Sequence, residues 1–107
     1  MSILALDVGD RRIGVAMSEG FLAAPLTTIY RRNEAVDIRE VLRLAEEYGT
    51  EEIVVGLPVN MDDTVGPAAR RVLDFVDELK QFVSIPVVTW DERLSSAEAE
   101  DRLRGVE

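Results

Sequence analysis

Two apolar runs near the start of the chain, residues 3–8 and 13–18, are separated only by the four residues Gly9-Asp10-Arg11-Arg12. Strands running in parallel need a crossover of a dozen residues or more, so a connection this short requires an antiparallel hairpin. A third extended piece is expected at residues 26–30, after Pro25. The N-terminal third of the chain is therefore read as three strands in succession.

The rest of the chain alternates helical and extended patterns. Ile38, Val41, Leu42 and Ala45 fall at i, i+3, i+4 and i+7, with Asp37 and Glu40 spaced as a capping box and Gly49 as a stop signal. Residues 53–55 read as a buried strand ending in Gly56-Leu57-Pro58. The following stretch to Gly66, with Asn60, Asp62, Asp63 and Thr64, reads as a loop, and Pro67 suits the first turn of a second helix. Along that helix Ala69, Val72, Val76, Leu79 and Val83 make one stripe, flanked by Phe75 and Phe82. Residues 86–90 form another strand entered through a proline, and Ser95 with Glu98 makes a second capping box for a helix running toward Arg104. The order β-β-β-α-β-α-β-α predicts an α/β fold, a mixed sheet with helices packed on it.

Composition narrows what such a fold could do. A chain of 107 residues can bury one core but not two, so residues 1–107 are expected to form a single domain. No apolar run approaches the roughly 20 residues of a membrane helix. The N-terminus lacks a basic region and carries an acid at Asp7, which argues against a signal peptide and for a cytoplasmic protein. With no Cys and no His, the chain has no zinc site, disulfide, thiol nucleophile or imidazole base. Any metal must sit on oxygen ligands, which points to a hard cation such as Mg²⁺ or Mn²⁺.

A net charge of −9 argues against non-specific binding of nucleic acid. The charge is uneven, however. Residues 1–33, with Arg11, Arg12, Arg31 and Arg32, carry a net +1, while residues 34–107 carry −10. Eleven of the twelve bases are Arg, the side chain best shaped for bidentate phosphate contacts.

Two places in the pattern carry acids where a sheet would not need them. Asp7 shares its strand alternation with Ile3 and Ala5, so on a covered sheet it would be partly desolvated and would call for a cation or hydrogen bonds. Asp91-Glu92 closes the last strand, and because adjacent residues point to opposite sides, one of the two could face Asp7. Carboxylates brought together from separate strands repel unless a divalent cation relieves them, and metal-assisted phosphoryl transfer is the main use of such a cluster.

Asp7-Val8-Gly9 followed by Arg12-Ile13-Gly14-Val15-Ala16, then Val55-Gly56-Leu57-Pro58 with Asn60, then Trp90-Asp91-Glu92-Arg93-Leu94, resembles the YqgF/RuvX family. These bacterial proteins have an RNase H-like fold and are assigned Holliday junction resolution and maturation of the 5′ end of the 16S rRNA precursor. The resemblance implies an RNase H-like mixed five-stranded sheet, its first three strands antiparallel, followed by βαβ units and flanked by helices. It implies Asp7 and Glu92 as catalytic acids and metal ligands, with Asp91 the alternative to Glu92. Arg11, Arg12, Arg93 and Asn60 would contact the substrate. The implied cofactor is Mg²⁺ or Mn²⁺, and the implied partner is pre-rRNA or branched DNA.

The family continues beyond the point matching Glu107 into a helix with a third catalytic Asp. This 107-residue chain is therefore expected to lack the C-terminal helix, to cleave weakly or not at all, and to cover the uncovered sheet face by forming a homodimer. A non-catalytic nucleic-acid-binding or ribosome-associated module of the same fold is the competing expectation.

Overall fold

The computed structural model describes residues 1–19, 22–60, 62 and 64–91. The elements run β1 (Ser2–Val8), β2 (Arg12–Glu19), β3 (Leu22–Tyr30), α1 (Glu34–Glu47), β4 (Glu52–Leu57), α2 (Pro67–Lys80) and β5 (Val87–Asp91). They build one five-stranded sheet in the order β3-β2-β1-β4-β5. Pairing is antiparallel between β1 and β2 and between β2 and β3, and parallel between β1 and β4 and between β4 and β5. The antiparallel hairpin expected from the four-residue connection is thus present, with Val8 opposite Ile13, inside the mixed sheet that the element order predicts. The expected helix from Ser95 lies outside the described residues.

Strand alternation sorts the sheet into two unlike faces. One presents Leu4, Leu6, Ile13, Val15, Ile29, Ile53, Val55 and Val87, all buried. These residues share one hydrophobic cluster with Ile38, Val41, Leu44 and Ala45 of α1 and Val72, Phe75, Val76 and Leu79 of α2. Both helices therefore pack on the same side. Each large side chain withdrawn there contributes about 1.5–3 kcal/mol relative to exposure, so this face carries most of the stability.

Three local details depart from the sequence pattern. Helix α1 begins a turn earlier than the apolar stripe suggested. Its N-cap is Asn33, whose side chain accepts from the Val36 N–H at 3.0 Å, and Asp37 is a buried residue inside the helix, not its cap. Strand β3 extends through Pro25 because it is an edge strand, where the missing N–H breaks no ladder, and a bulge between Val15 and Ala16 absorbs the irregularity. Phe82 follows the end of α2 and is exposed, so it does not flank the core as Phe75 does. Gly49 ends α1 as expected, at φ 59°, where a Cβ would be strained.

Candidate active site

Asp7 lies on the face opposite the helices. In the antiparallel register it pairs with Gly14, which in turn pairs with Thr28. On its other side, Leu6 is in step with Val55, so Asp7 follows in step with Gly56, whose partner on β5 is Trp90. Glycines on both neighbouring strands leave the carboxylate without a bulky flank. With Ala5, Ala16 and Val54 they floor a hollow of about 560 Å³. Among the described residues that line this hollow, Asp7 is the one acid. It is exposed, where the sequence suggested partial desolvation.

The hairpin loop puts positive charge beside it. Gly9 donates its N–H to the Arg12 carbonyl at 2.9 Å, and a Cβ at Gly9 would come within 3.1 Å of that oxygen, a tight approach that favours glycine in the loop. Arg11 and Arg12 are both exposed. Arg12 pairs with Tyr30, two residues along from the Gly14–Thr28 pair, which sets it on the Asp7 side of the sheet.

The remaining sequence-derived candidates separate. Asp91 pairs with Leu57, one step beyond the Gly56–Trp90 pair. Alternation therefore directs it to the side opposite Asp7. Glu92 and Arg93 lie outside the described residues. Asn60 organises its own loop: its Nδ2 donates to Thr64 Oγ1 at 2.9 Å, its N–H donates to the Thr64 carbonyl at 3.0 Å, and Thr64 Oγ1 donates to Asp62 at 2.6 Å.

Among the described residues no three acids gather into a metal-binding group. The donor chemistry at Asp7 nevertheless suits a hard cation. Mg²⁺ keeps several waters and is commonly held by one or two carboxylates together with substrate phosphates, and an exposed carboxylate in an open hollow offers that arrangement.

Sequence reasoning missed one residue at this end of the molecule. Arg31, just past β3, donates from Nε to Asp37 Oδ2 at 3.1 Å and from NH1 to the Gly9 carbonyl at 3.0 Å. The available signal was an arginine at a strand end six residues before an aspartate in a helical stretch, which a pattern search takes for a cap.

Comparison with known proteins bears on the family and the fold. A family model described as RuvX, Holliday junction resolvase, matches residues 1–107. A protein named "Putative pre-16S rRNA nuclease" from Clostridium botulinum strain Hall is 46% identical over 101 residues, covering 92% of this chain and 74% of the relative. Among solved structures, Thermus thermophilus RuvC in complex with a Holliday junction substrate superposes with a TM-score of 0.66 at 13% identity, over 100% of this chain and 80% of that one. A hexokinase of the ROK type from Thermus thermophilus gives a TM-score of 0.56 at 22% identity, over 97% of this chain but 38% of the kinase. Both structural likenesses concern the fold. The RNase H-like sheet is common to nucleases and sugar kinases, so the chemistry must be argued from the site.

Proposed function

Because the chain belongs to the RuvX family, we propose that it is a metal-dependent endonuclease that hydrolyses phosphodiester bonds in structured nucleic acid, with the 5′ region of the 16S rRNA precursor as its principal substrate. The observation that carries this reading is Asp7. It is an exposed carboxylate in a glycine- and alanine-floored hollow, with Arg12 on the same side of the sheet. The name given to the 46% identical relative supports rRNA processing as the setting. The family's description supports a four-way DNA junction as a second substrate.

The roles of the residues follow from their chemistry. Asp7 would hold a divalent cation, with Glu92 as the second ligand that the family resemblance implies. When bound, that cation supplies Lewis-acid stabilisation of phosphoryl oxygens and a more acidic water, which a site built without His requires. Arg12 and Arg11 neutralise and orient the phosphates of the strand being cut. The small residues around Asp7 would let a sugar-phosphate backbone approach the carboxylate closely.

The test is cleavage by the purified chain of a 5′-labelled precursor leader RNA and of a synthetic four-way junction, in Mg²⁺, Mn²⁺ and metal-free buffer. Slow, metal-dependent cleavage of the RNA that disappears in Asp7→Asn is the expected result. Cleavage of the junction alone would move the activity to junction resolution. RNA binding without cleavage in any metal would leave a non-catalytic binding module and overturn the enzymatic reading.

A further inference from the structure

One guanidinium joins four parts of the molecule around the basic hairpin loop. Arg31 follows β3, and its backbone N–H donates to the Arg11 carbonyl at 2.9 Å. Its side chain reaches the Gly9 carbonyl through NH1 and Asp37 in the first turn of α1 through Nε. Its Cζ also lies 5.4 Å from the centroid of the Phe75 ring on α2. Asp37 is 1% exposed, and its other oxygen accepts the Arg32 N–H at 3.2 Å.

Stability alone does not account for this arrangement. Withdrawing a carboxylate and a guanidinium from water offsets most of their mutual attraction, and well-packed apolar residues in such positions are often as stable or more so. An apolar pair would lack a donor aimed at the Gly9 carbonyl, two residues past Asp7. The loop has a second charged tether, Arg71 to Asp10 at 3.1 Å, but those side chains are 58% and 73% exposed. Water and salt screen such a pair, so it holds its geometry weakly.

We infer that Arg31, held by buried Asp37, is a positioning residue that fixes the 9–12 loop so that Arg12 and Arg11 meet the substrate backbone on the Asp7 side of the sheet. The inference rests on the nucleic-acid reading of the site and acts through the loop. Arg31 is itself no catalytic residue. Two of its contacts, to the Gly9 and Arg11 carbonyls, fall where the loop leaves and re-enters the sheet, and the third anchors the guanidinium to Asp37 on α1, so the restraint acts on the loop's backbone and not on the Arg11 and Arg12 side chains.

The test compares the intact chain with Arg31→Met/Asp37→Asn, in which no unpaired charge is left buried and the Asn oxygen can still accept from Arg32. Arg31→Lys and Arg71→Ala complete the set. The readouts are amide hydrogen exchange of residues 9–13 and the salt dependence of affinity for the precursor leader RNA in metal-free buffer. In the double variant the loop amides are expected to exchange at least about tenfold faster, with affinity lower by about tenfold and the salt slope smaller by about 1.

Adding Arg11→Ala/Arg12→Ala to the double variant should weaken binding little beyond Arg11→Ala/Arg12→Ala alone, because the clamp acts through those two side chains. Arg31→Lys should rescue part of the loss, and Arg71→Ala should leave exchange and affinity near those of the intact chain. Unchanged loop exchange, or a binding loss that adds fully to that of Arg11→Ala/Arg12→Ala, overturns the positioning role. Failure of the intact chain to bind RNA at all would instead overturn the functional reading on which it rests.

Discussion

The two faces of the sheet are written by the same strands and do different work. On the helix side, Leu4, Leu6, Ile13, Val15, Ile53 and Val55 are nearly inaccessible and share one cluster with α1 and α2. On the other side the same strands present Ala5, Asp7, Gly14, Ala16 and Gly56, small residues around one exposed acid. A period of two lets a single strand carry stability on one side and chemistry on the other, so substitutions one residue apart should have opposite signatures.

The largest effect on stability should come from the helix side. Phe75→Ala opens the cluster where α2 meets the sheet and is expected to destabilise by about 3–5 kcal/mol, with Leu6→Ala costing about 2–5 kcal/mol, read from urea midpoints. The neighbouring residue Asp7 should behave in the reverse way. Asp7→Asn should leave the midpoint within about 0.5 kcal/mol of the parent while reducing cleavage by about 10³-fold or more, since the proposed metal acts through that carboxylate. A large stability loss in Asp7→Asn would show that both faces are structural and break the comparison.

Gly14 sharpens it further. A Cβ there would sit 3.7 Å from the Asp7 Cβ, an ordinary contact. Gly14→Ala should therefore be tolerated, whereas Gly14→Leu should fill the hollow and lower kcat by about 10–100-fold at nearly unchanged stability.

The smallest effect belongs to neither face. On the outer surface of α1, hydrogen bonding to Arg43 lowers the Glu40 carboxyl below its ordinary value of 4.5. A depressed carboxylate contributes stability that is fully present above the unfolded value and is lost as pH falls through the folded one. The advantage of the parent over Glu40→Gln in Tm should thus be small at neutral pH and disappear as pH falls through the lowered carboxyl value. An advantage that grew on acidification would contradict the pairing.

Much of this architecture was legible in the chain because it depends on neighbours in sequence. The four-residue gap dictated the hairpin, and the helical spacing from Ile38 to Ala45 and from Ala69 to Leu79 marked the buried stripes of both helices. The start of α1 was misplaced because its first turn, Glu34-Ala35-Val36-Asp37, offers no apolar periodicity and Asp37 imitates a cap. Strand β3 was drawn too short because Pro25 reads as a boundary until its edge position is known. Of the candidate site, Asp7 and Arg12 could be named from sequence, but Asp91 could not be oriented, since its side of the sheet depends on the pairing of Gly56 with Trp90.

The sequence by itself determined the alternation of the strands, the tight basic loop after Asp7, the absence of His and Cys that leaves only oxygen ligands, and the motif blocks of the family. Only the tertiary structure decided that both helices share one face, that Asp7 opens on the other with Arg12 beside it, and that Arg31 clamps the loop through a buried Asp37. The division has a physical cause. Periodicity and turn chemistry act over a few residues and are visible in one dimension. Sheet register, burial of a charge and the partner that compensates it arise from contacts between segments that only folding brings together.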